Sequence, residues 1–271
     1  MKILGCFKVV PDLDLIVEED WNKKNQSYVD TGYAKLVWNC FDEGALEMML
    51  RLSDLSEGLN VVYKLSALTI GRQKTEGFLK TLYALGFSEG ARICVETEED
   101  ILFSPEMVSE GIANYVKKVE GQDVIITGIQ SSDGSNKKTP YLLAEKLGWP
   151  CITQVVGMEP MDENHLQVTA QVPGGYMVRQ VKTPCVLAVG NAPCAYLRIP
   201  TLKDKMKLGK RPVTQLMPEE LGMVEAGESV QLIGLNPIDR KRNTVIIEGD
   251  SPEEKARHLY EKYLKGRLSM L

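Results

Sequence analysis

The chain has 271 residues, 44% of them apolar and 25% charged, a balance that excludes disorder as the dominant state and supplies a core without disulfide staples. Thirty-two Lys and Arg against thirty-seven Asp and Glu leave a net charge of −5, so no basic excess supports nonspecific binding to nucleic acid or an anionic membrane. At about 150 residues per domain, this length predicts one large domain or a domain with an appendage.

In chain order, Lys2 to Val10 reads as a first strand. The apolar run in MKILGCFKVVPD is too short to span a membrane and lacks a small-residue cleavage site, so the expectation is a cytoplasmic protein. A polar stretch from Glu18 to Thr31 follows, as a hairpin or an excursion. Asn39 is placed to cap a helix through its side-chain oxygen. Asp42 and Glu43 suit the positive end of that helix dipole, and Phe41, Ala45, Met49 and Leu52 make its apolar stripe. Asn60 to Ile70 is a second strand. A helix carrying Phe78, Leu82 and Leu85 then stops at Gly86, which accepts a left-handed cap.

Ala91 to Val95 makes a third strand, and Ser104 with Pro105 opens a helix reaching about Lys118. Asp123 to Thr127, DVIIT, is a buried fourth strand, and the loop GIQSSDGSNKKTP leads from it into the helix YLLAEKL, closed by Gly148 and Pro150. From His165 the rhythm changes to a hairpin, HLQVTAQV and YMVRQVK around Gly174 and Gly175, with CVLAVG as a further buried strand. A basic run from Lys203 to Arg211 reads as a solvated face or, less simply, a patch for an acidic partner. Near the end, Ser251 and Glu254 stand at capping-box spacing, and Ala256, Leu259, Tyr260, Tyr263 and Leu264 share one helical face that needs a cover.

The alternation of strands and helices predicts an α/β fold, a Rossmann-like parallel sheet with helices on both faces. In such a sheet, ligands collect at the carboxyl ends of the strands. Three segments qualify: Phe7 to Pro11 with Asn39 nearby, the turn ending at Gly71, and GIQSSDGSNKKTP. In the last, Asn136 and Thr139 offer hydrogen bonds, while Lys137 and Lys138 place positive charge where a helix N-terminus already favours anions. The same loop also reads as an ordinary strand-to-helix connection with Asp133 and Ser135 as turn and cap residues. It contains neither G-x-G-x-x-G nor a Walker lysine pattern. His165 and His258 read as surface residues, and Asp12 and Asp14 as loop residues, so neither a catalytic triad nor a metal site is expected. The six cysteines, at 6, 40, 94, 151, 185 and 194, form no C-x-x-C pair and read as buried free thiols.

KVVPD, WNCFDEGALE, ALTIG, DVIITGIQSSDG with LLAEKLGWP, KTPCVLAVG, NAPCAYLRIPTLKDKMK and IIEGDSPEEKA follow one another in a characteristic order. Over most of its length the chain thereby resembles the β subunit of electron transfer flavoproteins. The resemblance implies an adenine nucleotide alpha hydrolase-like domain over residues 1–235. Residues 236–271 would be an arm docking on a partner α subunit, which carries FAD. It implies an electron carrier rather than an enzyme, serving dehydrogenases such as an acyl-CoA dehydrogenase, with AMP or a second FAD held in this chain.

By position, the nucleotide contacts would be Cys6, Phe7, Asn39, Thr69, Ile70, Gly71, Gly128, Asp133, Gly134, Ser135, Asn136, Lys137, Lys138 and Thr139. Leu13 would touch the partner's flavin edge. Leu197 and Ile199, before Pro200, would meet the dehydrogenase, and Leu259 and Tyr263 the α subunit. The loop departs from the family's D-G-D-T-A-Q-V-G-P: Pro140 removes a backbone N–H from the helix start, whereas Lys137 and Lys138 add charge that offsets it. Gln171 and Met177 are a second departure, near the paired glycines. Two rival readings are a self-contained ATP-binding α/β enzyme and a nucleotide-binding regulatory module.

Overall fold

A computed structural model describes residues 1–21, 29–57, 59, 61–96, 101, 103–223 and 244–268. In chain order the strands are β1 (Lys2–Phe7), β2 (Val9–Pro11), β3 (Leu36–Trp38), β4 (Lys64–Gly71), β5 (Glu89–Cys94), β6 (Val124–Gly128), β7 (Cys151–Pro160), β8 (His165–Val172), β9 (Gly175–Lys182), β10 (Cys185–Val189) and β11 (Thr214–Leu216). The helices that matter below are α1 (Cys40–Leu55), α2 (Glu76–Ala84), α3 (Pro105–Val119), α4 (Thr139–Leu147), α5 (Leu202–Leu208) and α6 (Pro252–Leu259).

Side chains alternate across β1, so Ile3 and Phe7 enter one buried cluster while Leu4 and Cys6 enter another. In β6 the same alternation sends Val124 and Ile126 one way and Ile125 the other. Such strands are buried on both faces and need helices on each side. Leu46, Met49 and Leu52 of α1 and Leu79 and Leu82 of α2 cover the first face. Ile112, Ala113 and Val116 of α3 and Leu143 and Ala144 of α4 cover the second. At Gly5 the helix comes so close that a Cβ would lie 2.8 Å from Met49 Sδ, which explains glycine in the middle of a buried strand.

Among the described residues, nine strands form one sheet in the order β11-β5-β4-β1-β6-β10-β7-β8-β9. Pairing is parallel from β11 through β7, and β8 and β9 continue antiparallel. The chain moves outward from β1 to β4 and β5, then returns to place β6 on the other side of β1. That reversal is a topological switch point, where the loops leaving β1 and β6 diverge and open a crevice.

Several expectations change. The first strand breaks at Lys8, whose N–H donates to Asp42 Oδ2 (2.9 Å), and β2 pairs antiparallel with β3 instead. The second strand starts at Lys64, Asn60 lying outside the described residues. Part of the Glu18–Thr31 excursion, residues 22–28, also lies outside them, and Glu18–Trp21 is a single helical turn. The ten-residue strand β7 was not anticipated, because its Gly and Pro residues obscure the alternation that β8 shows plainly. Of the cysteines, all free, Cys6, Cys185 and Cys194 are buried, Cys94 and Cys151 partly so, and Cys40 is exposed.

The chain divides into two compact units, Met1–Gly234 and Leu235–Leu271. Within the second, half of the expected capping box forms: Ser251 Oγ accepts from the Glu254 N–H (3.2 Å), but Glu254 Oε2 accepts from the N–H of Asp250 (2.9 Å), one residue before the cap. After Leu259 the helix widens into a π turn, Tyr260–Leu264. Among the described residues, no helix is long and apolar enough to cross a membrane.

Candidate functional site

The crevice at the switch point encloses about 840 Å³, its open mouth included. Cys6, Phe7 and Lys8 leave β1 on one side of it, and Thr127 to Ser131 leave β6 on the other. Leu68 and Ile70 of β4, Ile101, and Pro105, Val108 and Ile112 of α3 form an apolar end. Lys8, Asn39, Gln130, Ser131 and the segment Asn136–Pro140 form a polar one. One end therefore suits a flat apolar group and the other an anion, the two halves of a nucleotide.

A buried carboxylate organises the polar end. Asp42 accepts from the Gly128 N–H (2.6 Å) on Oδ1, and from the Lys8 N–H (2.9 Å) and Asn39 Nδ2 (2.9 Å) on Oδ2. Burial pushes its pKa up to about 6 against the pull of those donors and the Lys8 charge. The helix start, the end of β1 and the end of β6 thus converge on one side chain. Gly128 sits so close that a Cβ there would lie 2.6 Å from Asp42 Oδ1 and 2.9 Å from the Asp42 backbone nitrogen.

Asn39 occupies the cap position of α1 but makes no side-chain capping bond. Its Nδ2 also donates to the Gln130 carbonyl (2.8 Å), and its Oδ1 accepts from the Ser132 N–H (3.2 Å). The expected cap is instead a tie to the loop after β6, because that loop passes within reach of the amide and has free backbone groups to satisfy. Lys8 Nζ pairs with Asp133 Oδ2 at 2.7 Å and closes the same loop from the other side.

From Ser131 the loop makes a tight turn, with the Ser135 N–H and Oγ both donating to the Ser131 carbonyl (3.1 and 3.0 Å). It passes through left-handed backbone at Ser135 (φ 48°) and Lys137 (φ 57°), conformations that cost about 1 kcal/mol or more each. Helix α4 begins at Thr139. Pro140 supplies no N–H, and the Tyr141 and Leu142 amides are both spent on the Lys138 carbonyl (3.1 Å each). The helix start therefore offers an anion fewer amides than its position suggests. Lys137 and Lys138, which have no ion-pair partner among the described residues, supply most of the positive charge.

Of the nucleotide contacts read from sequence, Cys6, Phe7, Asn39, Ile70, Gly128, Asn136, Lys137, Lys138 and Thr139 line this crevice. Thr69, Gly71, Asp133, Gly134 and Ser135 do not. Thr69 belongs to the opposite parity of β4 from Leu68 and Ile70, and Gly71 packs against Thr75. Asp133 acts through Lys8, and Gly134 donates back to Asp133 Oδ1 (2.7 Å). Leu13 lies on the turn Leu13–Leu15.

Sequence reasoning missed the roles of Lys8, Gln130 and the apolar group of Ile101, Pro105, Val108 and Ile112, and it took Asp42 for a dipole residue. The available signal was an acid three residues after Asn39, directly after the apolar Phe41 in the first turn of the helix. His165 Nδ1 lies 2.9 Å from Asp162 Oδ1, and neither residue lines the crevice; in the second unit His258 Nδ1 lies 3.2 Å from the Glu248 carbonyl.

The segment after β10 is stitched to α1. Leu197 N–H donates to Glu43 Oε1 (3.1 Å), Arg198 grips the buried Glu47 through Nε and Nη2 (3.1 and 2.9 Å), and its Nη1 reaches Asp54 (2.8 Å). Burial raises the Glu47 carboxyl, but its bonds to Arg198 and Arg51 outweigh that and hold it below the ordinary value. Leu197, 9% exposed, belongs to the core, whereas Ile199 is 88% exposed and stands with exposed Tyr196, Leu202 and Met206. In the second unit Leu259 is exposed and Tyr263 half-buried.

Comparison with known proteins places this geometry. The family profile described as "Electron transfer flavoprotein domain" matches residues 38–221. YgcR of Escherichia coli (strain K12), whose name assigns it provisionally as an electron transfer flavoprotein subunit, is 30% identical over 99% of both chains. The electron transfer flavoprotein subunit beta of Dictyostelium discoideum is 27% identical over 92% of this chain and 93% of its own. The acryloyl-CoA reductase electron transfer subunit gamma of Anaerotignum propionicum is 28% identical over 94% of this chain and 90% of its own. With the profile spanning most of the sheet and the relatives running nearly end to end, the chain belongs to the β-subunit family of electron transfer flavoproteins.

Proposed function

We propose that this chain is the β subunit of a heterodimeric electron transfer flavoprotein and holds one adenine nucleotide, AMP or a second FAD, in the crevice between β1 and β6. The observation that carries the reading is the crevice's division into an apolar end and a lysine-bearing polar end at a topological switch point. The residues fit such a group. Leu68, Ile70, Val108 and Ile112 offer apolar contact to an adenine ring, and Lys137, Lys138 and Thr139 offer charge and hydrogen bonds to phosphate.

Flavin on the partner α subunit supplies the redox chemistry, and this chain makes and breaks no covalent bond. Its residues bind and orient: Asp42 and Asn39 hold the two walls of the crevice together, and the Glu47–Arg198 clamp holds the segment that presents Ile199. Ile199 would anchor on a dehydrogenase, and the face bearing Leu259 and Tyr263 on the α subunit. Leu13 is the candidate for contact with the flavin edge.

Coexpression with an α-subunit partner, followed by denaturation and chromatography of the released ligands, tests the reading. One flavin with one AMP per heterodimer supports a simple carrier, and two flavins support the bifurcating kind. A heterodimer that releases its α-subunit flavin and no further adenine nucleotide refutes the site.

A further inference from the structure

One atom in the crevice is chemically unfinished. The carboxamide Oε1 of Gln130 is shielded from solvent and has no hydrogen-bond partner in the chain, while Gln130 itself lines the cavity. A buried acceptor left unpaired costs about 1–3 kcal/mol, and of the six buried side-chain atoms without a partner among the described residues, Gln130 Oε1 is the one whose residue lines the crevice.

The backbone beneath it is held on three sides. Ile129 N–H donates to the Val189 carbonyl (2.9 Å), the Gln130 carbonyl accepts from Asn39 Nδ2 (2.8 Å), and the Ser132 N–H donates to Asn39 Oδ1 (3.2 Å). The buried Asn39 is itself locked to Asp42. So constrained a backbone fixes where the Gln130 side chain starts before any ligand arrives, which limits the ordering cost of binding.

The unsatisfied atom is an acceptor, so its complement is a donor. It is also neutral, so it contributes nothing to attracting phosphate; Lys137 and Lys138, further along the same loop, do that. We propose that Gln130 is the specificity-determining residue of the crevice, its Oε1 accepting a hydrogen bond from an uncharged donor of the nucleotide, either the exocyclic amino group of the base or a ribose hydroxyl. The proposal rests on the nucleotide reading above and adds to it which part of the nucleotide is read. A site that hydrogen-bonds a donor rejects the analogue lacking it, because the protein acceptor is then buried without a partner.

The test measures binding of AMP, IMP, 2′-deoxy-AMP and 3′-deoxy-AMP by titration calorimetry to the full-length protein freed of ligand, as wild type, Gln130→Met and Gln130→Glu. IMP replaces the amino group with a carbonyl oxygen, and each deoxy analogue removes one hydroxyl. Wild type is expected to bind one of the three analogues roughly tenfold more weakly than AMP. Gln130→Met, which keeps the length but not the acceptor, binds AMP more weakly and discriminates against that analogue no longer. Gln130→Glu, which keeps an acceptor, retains the discrimination.

Without nucleotide, Gln130→Met melts at or above the wild-type temperature, since no bond within the chain is lost. A Gln130→Met protein that binds AMP like wild type, or that keeps the same discrimination, overturns the proposal while leaving the nucleotide reading intact. So does a wild type that binds all four nucleotides equally. If wild type binds none of them, the nucleotide reading fails first and this inference falls with it. Should Gln130→Met not fold, the dependence of Oε1 on the chain itself is shown, and the proposal is overturned on that ground.

Discussion

Asp42 is where the chemistry of single residues bears most directly on the site. Its carboxyl is raised from an ordinary 3.8 to about 6 by burial, so the native state binds its proton more tightly than the unfolded chain does. The stabilisation this side chain lends is therefore complete below pH 4 and declines as pH rises towards 6, by about 3 kcal/mol in all. Urea unfolding of wild type and Asp42→Asn at pH 4, 5, 6 and 7 checks this. The difference between the two should shift against wild type across that window and then level off; a difference flat with pH would place the titration elsewhere.

Gly128 depends on the same carboxylate. Gly128→Ala pushes a methyl group against Asp42 Oδ1 and the α1 backbone and is expected to destabilise by about 2 kcal/mol in the same unfolding experiment. Lys137→Ala with Lys138→Ala should weaken AMP binding by roughly tenfold and flatten its salt dependence, with little change in melting temperature, because both side chains are exposed. That the two lysines and Asn136 lie beside the crevice was legible in the sequence, since a loop from a parallel strand to the next helix leaves the carboxyl end of the sheet. Asp42 was not. Its burial and its three donors arise only when β1, α1 and β6 meet.

Among elements, α1 does more than cover the sheet. Its first turn supplies Asn39 and Asp42 to the crevice, and its outer side supplies Glu43, Glu47 and Asp54 to the segment after β10. Arg198→Ala would leave Glu47 buried with Arg51 as its remaining cationic partner, a loss of about 2 kcal/mol in urea unfolding once the partial exposure of the guanidinium is allowed for. A loss below about 0.5 kcal/mol would mean that the clamp is decorative. Helices α1 to α4 were readable from apolar spacing and from Gly86, Gly148 and Pro105, because those signals act locally. The break at Lys8 was not, because it is set by Asp42, a partner from another part of the chain.

For the molecule as a whole, the proposed division of labour predicts two separable defects. Leu259→Glu should abolish copurification with the α subunit. Ile199→Glu should leave that complex intact and lower the rate of electron transfer from the dehydrogenase by about tenfold or more, as measured by flavin reduction. Neither should shift the melting temperature of the isolated chain, since both side chains are exposed. Loss of copurification by Ile199→Glu would count against assigning the two surfaces to different partners.

The fold class and the family were decided by the sequence alone, because periodicity, caps and an ordered series of motifs are properties of short stretches and survive divergence. The shape of the site was decided by the tertiary structure. Strand order brought the ends of β1 and β6 together, and parity along β4 turned Ile70 into the crevice and Thr69 away from it. Burial made Asp42 a junction and left Gln130 with an acceptor to fill. Desolvation and hydrogen-bond satisfaction depend on every neighbour at once, and no window of sequence contains them all.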